Sequence, residues 1–321
     1  MTLSTEQATW FAGTFGQLVA NVEKAVVGKT SVVQLAVTCL LSEGHLLLED
    51  FPGTGKTSLA RALAQTVQGK QSRIQFTPDL LPGDVTGVTI YDQKTQRFVF
   101  HQGPIFATVV LADEINRASP KTQSALLEVM EESQVTVDGV THRAGRPFMV
   151  IATQNPVEQA GTYPLPEAQL DRFLMKTSIG YPDHDSTMQI LGAPHAKGTT
   201  LDAVITPEAV AGMSDLTLEV HVEQAVLDYV ARLAAATREA PEVALGCSVR
   251  AALALVRCAR TWAAASGRTF VLPDDVKELA VPVLAHRMML DPEEEYRGTT
   301  CESVLRRLLD EVPAPQERVS A

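Results

Sequence analysis

A chain of 321 residues exceeds one typical domain and accommodates a large domain beside a smaller one. Hydrophobic residues at 45% and charged residues at 20% are ordinary globular proportions, which excludes a disordered or fibrous chain. Twenty-seven Lys and Arg against 38 Asp and Glu leave a formal charge of −11, so no overall field draws the chain to nucleic acid or anionic lipid.

Residues 1–27 carry the periodicity of a leading helix and lack the basic-then-apolar order of a secretory signal. From about Gly44 to Gly180, short apolar runs alternate with helical stretches. The runs His45–Glu49, Ile74–Phe76, Thr108–Ala112, Phe148–Ala152 and Leu174–Ile179 are candidate strands. Strands alternating with helices need crossover connections, so the expected class is α/β, with a parallel sheet flanked by helices. Two stretches depart from that rhythm: Gly87–Phe100 alternates around a polar turn, and Gln134–Arg143 does so around Asp138-Gly139. Both read as β-hairpin inserts.

After Tyr181-Pro182 the strand signal fades. Val222, Val226, Val230 and Leu233 recur at helical spacing, as do Leu253, Val256 and Cys258/Ala259, and then Val276, Leu279, Val283 and Leu284. The expected organisation is an N-terminal helical segment (1–27), an α/β nucleotide-binding domain (28–181), an all-helical domain (182–312) and a disordered tail (313–321). The four cysteines are scattered, with no metal-ligand spacing, and read as reduced core thiols. No stretch approaches the ~18 consecutive apolar residues of a membrane span, so a cytoplasmic protein without membrane insertion is expected.

The chemistry begins at the first strand. His45–Glu49 is followed by Asp50-Phe51-Pro52-Gly53-Thr54-Gly55-Lys56-Thr57-Ser58, and then by a helix with Leu59, Leu63 and Val67 on one face. Strand, glycine-rich loop, Lys-Thr and helix form the phosphate-binding order. Glycines let successive backbone N–H groups turn inward around phosphate oxygens, and the helix N-terminus adds positive potential. Lys56 is expected to reach the β- and γ-phosphates of ATP, and Thr57 to offer its hydroxyl to Mg²⁺. Asp50 stands where the motif has Gly. Its side chain is expected to end the strand turned to solvent, the alternative being a carboxylate that repels phosphate.

A second buried run, Thr108–Ala112, ends in Asp113-Glu114. In a parallel sheet ligands bind at the carboxyl ends of the strands, so Asp113 is placed to hold Mg²⁺ and Glu114 to polarise an attacking water. Ser119-Pro120 then starts a helix, Ser as N-cap and Pro in the first turn.

The block DEINRASPKTQSALLEVMEE strongly resembles the MoxR branch of AAA+ proteins. The resemblance extends through VVGK (Val26–Lys29), FTPDLLPGDVTG (Phe76–Gly87), VIATQNP (Val150–Pro156), GTYPLPEAQLDRF (Gly161–Phe173), GYP (Gly180–Pro182), GCSVRAALAL (Gly246–Leu255) and PDDVKELAVPVLAHR (Pro273–Arg287). It implies a P-loop AAA+ core followed by an all-helical lid. Asn155 matches sensor 1, which places the lytic water. Arg172 matches the arginine finger that reaches a neighbouring subunit's γ-phosphate, the alternative being an ordinary partner of Asp171. Arg250 matches sensor 2, although Val249 stands where the family has Pro; Ser248 remains available as cap. Val27 and Gly28 match the segment lining the adenine pocket. Arg117 reads either as an interface residue or as a solvated one. The hairpins match inserts that face a central pore, or else cover sheet edges.

The function implied is ATP hydrolysis coupled to remodelling or maturation of a client protein, by a homo-oligomeric, hexameric ring acting with a von Willebrand A domain partner. Two other readings share the core: a magnesium-chelatase-type ATPase subunit, and a DNA-directed motor. The acidic charge and the lack of a basic appended domain argue against the DNA motor.

Overall fold

The computed structural model describes residues 2–51, 53–155, 162–192 and 201–315. In chain order its first elements are α1 (Thr5–Glu23), α2 (Thr30–Leu41), β1 (Leu46–Glu49), α3 (Lys56–Thr66), β2 (Gln71–Gln75) and α4 (Pro82–Thr86). A hairpin β3 (Gly87–Asp92) and β4 (Arg97–Gln102) follows, then β5 (Val109–Asp113) and α5 (Pro120–Glu132). A second hairpin, β6 (Gln134–Val137) and β7 (Val140–Arg143), leads to β8 (Met149–Gln154), α6 (Glu167–Leu170), β9 (Met175–Thr177), α7 (His184–Gly192) and α8 (Pro207–Thr217). The remainder is α9 (Gln224–Glu239), β10 (Val243–Leu245), α10 (Val249–Ala265), α11 (Pro273–Leu284), β11 (Met289–Leu290), α12 (Pro292–Tyr296) and α13 (Cys301–Glu311).

Five strands form one sheet in the order β2-β5-β8-β1-β9. The pairings β2–β5, β5–β8 and β1–β8 are parallel. The inner strands β5 and β8 are apolar on both faces, as helix-covered parallel strands must be, and Val109–Ala112 and Met149–Thr153 are buried throughout. On one side the core joins Leu47, Val110 and Val150 to Leu126, Val129 and Met130 of α5 and to Phe173. Leu59 and Leu63 of α3, with Val67 just after it, are fully buried. The edge strand β2 differs: Ile74 alone is buried within it, and Arg73 and Gln75 are exposed.

Both hairpins form separate two-stranded sheets and add nothing to the main one. The turn between β6 and β7 has Asp138 at φ +50° and Gly139 at φ +79°, the paired positive angles that an Asp-Gly hairpin turn demands. The hairpins meet where Phe100 of β4 stacks on His142 of β7, ring centroids 4.0 Å apart.

The chain packs as two compact units. One comprises Gln17–Phe173 and Thr177–Gly212, and the other the residues up to Gly16, Leu174–Lys176 and those from Met213 onward. Asn21 Nδ2 donates to Thr66 Oγ1 (2.9 Å) and to the Asp202 carbonyl (3.0 Å), while Val204 N–H donates to the Thr66 carbonyl (2.8 Å). These bonds gather the second half of α1 and the stretch around 202–204 onto the end of α3.

In the helical unit, α9, α10, α11 and α13 carry the core, and β10 and β11 add a short antiparallel ribbon. The buried face of α10 is Ala251, Ala254, Leu255, Cys258 and Ala259; Leu253, expected on that face, is 66% exposed. None of the four cysteines is in a disulfide. Burial pushes the Cys301 thiol up to about 11, so it stays protonated at neutral pH. No helix among the described residues is long and apolar enough to cross a membrane.

Candidate functional site

The loop after β1 is built around two glycines that need left-handed backbone. Gly53 has φ +85° and Gly55 φ +96°, and a Cβ on either would meet no atom within 4 Å, so conformation rather than space requires Gly. Gly55 is the N-cap of α3, and Lys56 is its first residue. The Lys56 ammonium donates to the carbonyls of Asp50 (3.0 Å) and Phe51 (3.1 Å). Pro52, expected among the loop's binding residues, lies outside the described residues.

Asp50 does not turn to solvent. It is 2% exposed, and its carboxylate accepts hydrogen bonds from Ser178 Oγ (2.9 Å), Ile179 N–H (2.5 Å) and Gly180 N–H (2.9 Å). A buried carboxylate is tolerated where donors satisfy it, and three do so here. The residue thus ties the phosphate loop to the chain leaving β9, a link that Gly could not make. Asp50→Ala leaves the buried Ile179 N–H and the partly buried Gly180 N–H without this acceptor. Urea unfolding should show a loss of roughly 2–4 kcal/mol, and less for Asp50→Asn, which keeps an acceptor oxygen. An unchanged unfolding midpoint for Asp50→Ala would rule out this structural role.

Parallel register brings the other groups to the same end of the sheet. Gln75 lies opposite Asp113, Ala112 opposite Ala152, and Glu49 opposite Gln154. A cavity of about 330 Å³ opens there, lined by Gly53 to Ser58, by Asp113 and Glu114, and by Asn155 just beyond β8. Asp113 accepts from Arg73 Nη2 at Oδ2 (2.6 Å) and from the Thr153 hydroxyl at Oδ1 (2.6 Å). Thr153 Oγ1 in turn accepts from Glu114 N–H (2.8 Å). Glu114 has φ +55°, a left-handed conformation rare for a residue with a side chain and found mostly where the surroundings enforce it. Its Oε2 accepts from Gln75 Nε2 (3.1 Å) and Arg117 Nη1 (3.0 Å).

Gly53, Thr54, Gly55, Lys56, Thr57, Ser58, Asp113, Glu114 and Asn155 therefore share one cavity. Other expected site residues lie elsewhere. Arg172 lies outside that lining, and its guanidinium pairs with Glu131 of α5 at 3.2 Å. Arg250 belongs to the helical unit, exposed at the second position of α10, where Ser248 caps the helix by accepting from Ala251 N–H (3.2 Å). Val27 and Gly28 are not in the lining either. Gly28 has φ +72°, and a Cβ there would meet Ser186 Oγ at 2.0 Å, so this segment packs closely on α7. Arg117 is not simply solvated, since it pairs with Glu114.

Three cavity residues escaped the sequence reading: Arg73, Gln75 and Thr153. The available signal was polar residues at alternate positions of QSRIQ, which sets Arg73 and Gln75 on one face of an otherwise apolar sheet. Chemically, the cavity offers backbone N–H groups and two cations to an anion, and the oxygens of Thr57 and Asp113 to a small hard cation. Among the described residues no cluster of three His, Cys, Asp or Glu forms a self-sufficient metal cage. Such a cation would complete its coordination with water and the anion itself.

Comparison with known proteins places this geometry in context. Residues 45–175 match the family model described as ATPase family associated with various cellular activities (AAA), and residues 235–308 match that of the AAA lid domain. The chain is 47% identical over 305 residues to the uncharacterized protein YeaC of Bacillus subtilis, covering 94% of this chain and 95% of that one. It is 40% identical over 312 residues to Chaperone MoxR1 of Mycobacterium tuberculosis, covering 94% and 83%. The crystal structure of a proposed ATPase from Cytophaga hutchinsonii superposes with a TM-score of 0.90 at 37% identity, over 97% of this chain and 98% of that one.

Proposed function

We propose, on the premise that the chain belongs to the MoxR family of AAA+ ATPases, that it hydrolyses ATP and uses the cycle to remodel or mature a client protein. It works as a cytoplasmic homo-oligomeric ring, hexameric on family resemblance, with a von Willebrand A domain partner. The observation that carries the ATPase reading is the convergence of the phosphate loop, Asp113-Glu114 and Asn155 on one cavity. The relative named as a chaperone supports the remodelling half.

In this reading the backbone N–H groups of Gly53 to Thr57 and the Lys56 ammonium hold the β- and γ-phosphates. Thr57 and Asp113 would hold Mg²⁺, which supplies charge neutralisation across those phosphates when bound. Val27 and Gly28 take the adenine side. Glu114 polarises a water that Asn155 positions. The water oxygen bonds to the γ-phosphorus as the bond to the β–γ bridging oxygen breaks, and ADP leaves with phosphate. Arg172 from a neighbouring subunit and Arg250 from the helical lid add positive charge where it develops on the phosphoryl oxygens. A site completed by a neighbour is nearly inert in a monomer, so turnover per chain should climb steeply with protein concentration.

Lys56→Ala is expected to abolish ATP binding in calorimetric titration, and unchanged affinity would sink the assignment of the loop. The remodelling half is tested by affinity capture in ATP. A Glu114→Gln form should retain client and von Willebrand A partner, and Lys56→Ala should not; equal capture by both would overturn it.

A further inference from the structure

Asp113 enters the proposed mechanism as a cation-holding carboxylate, yet both its oxygens already have partners within the chain. Thr153 donates to Oδ1 at 2.6 Å, and Arg73 donates to Oδ2 at 2.6 Å in a charge-assisted contact. The same Arg73 nitrogen lies 2.9 Å from Gln75 Oε1, which steers the guanidinium toward the carboxylate. Asp113 is the less exposed member of the pair, its side chain 13% exposed, whereas Arg73 is 50% exposed on the edge strand and has solvent to turn into.

We propose that Arg73 is an internal counter-ion of Asp113 that a divalent cation must displace, so that it sets how much divalent cation nucleotide binding requires. This rests on the reading of the cavity as an Mg²⁺–ATP site. Two positive charges compete for one carboxylate. A second lone pair on Oδ2 leaves room for a water, but a divalent ion reaching Asp113 through that water comes close to a guanidinium of the same sign. Either the guanidinium leaves or the ion binds weakly. The half-exposed Arg73 can leave at small cost, because its guanidinium turns into water while the incoming ion takes over as the carboxylate's counter-charge. Without the metal, Arg73 shields the incoming phosphates from the Asp113 carboxylate. With the metal, that shielding passes to the ion.

The test uses the full chain and Mn²⁺ as the probe. Its affinity for the complex with a non-hydrolysable β,γ-imido analogue of ATP is read from loss of the free Mn²⁺ EPR signal, and analogue affinity is measured in EDTA and at saturating Mn²⁺. Arg73→Gln is expected to bind Mn²⁺ roughly five- to tenfold more tightly. It should also bind the analogue more weakly in EDTA, and equally well at saturating Mn²⁺. Arg73→Lys keeps the charge and should stay within about twofold of the unaltered chain. Unchanged or weaker Mn²⁺ binding by Arg73→Gln overturns the proposal. So does weaker analogue binding at saturating Mn²⁺, which would make Arg73 a phosphate ligand instead. If the unaltered chain and Lys56→Ala bind the analogue equally, the cavity reading itself fails, a result separable from both.

Discussion

Glu114→Gln is expected to bind ATP as tightly as the unaltered chain and to hydrolyse it about 10² to 10⁴ times more slowly. The size of the loss follows from what the amide cannot do. It is nearly isosteric with the carboxylate but carries no charge and draws no proton from a water. The environment explains why little else should change. Glu114 Oε2 accepts from Gln75 Nε2 and Arg117 Nη1, and an amide oxygen can accept from both. The backbone is anchored independently, through the Glu114 N–H bond to Thr153 Oγ1. Folding stability should therefore shift by less than about 1 kcal/mol, as both contacts are partly exposed. Single-turnover phosphate release, measured beside ATP affinity, separates the outcomes. Turnover within threefold of the unaltered chain would remove Glu114 from the chemistry, and lost affinity would make it a binding residue instead.

How much of this was legible in the sequence depends on how far apart the interacting residues lie. Local patterns carried well. The Asp138-Gly139 turn specified its hairpin because positive φ at consecutive positions is a local demand. Ser119 caps α5 through Thr122 N–H, as a Ser-Pro start implies. Apolar runs located β5 and β8, which are buried on both faces. The same rule misplaced β2, an edge strand that runs over Gln71–Gln75 with only Ile74 buried. Phe76 is buried yet lies beyond that strand, its N–H bonding to the Asp113 carbonyl.

What the pattern could not supply was partnership across long separations. Asp50 meets Ser178 and Gly180, some 130 positions later, and nothing near Asp50 announces those donors. Arg73 reaches Asp113 across 40 positions, by a register that only the assembled sheet sets. Periodicity gave α10 an apolar stripe, but small alanines rather than Leu253 face the core there. The polar chemistry of the cavity is thus half local, in the loop and the acidic pair, and half a product of strand register.

Arg172→Ala is expected to lower kcat by about 10³-fold or more, with ATP affinity changed far less. Such a loss corresponds to about 4 kcal/mol of transition-state stabilisation. Arg172 does not line the cavity of its own chain, so a role at the phosphates is a role at a neighbour's. Its observed partner does not forbid this. The pair with Glu131 is partly exposed on both sides, and such pairs contribute under about 1 kcal/mol, well below what the phosphoryl contact would return. Glu131 thus orients the guanidinium without confining it. A mixing experiment separates action in trans from a local structural effect. Arg172→Ala subunits keep Glu114, and Glu114→Gln subunits keep Arg172, so each can complete the other's site on one side. At equal proportions in a randomly mixed ring, roughly a quarter of the interfaces combine an intact Glu114 with a neighbour's Arg172. ATP turnover of the mixture should then exceed that of either variant alone and fall away at both extremes of the ratio. Co-assembly is first confirmed by analytical ultracentrifugation. A mixed ring with no more activity than the two separate variants would confine Arg172 to its own chain.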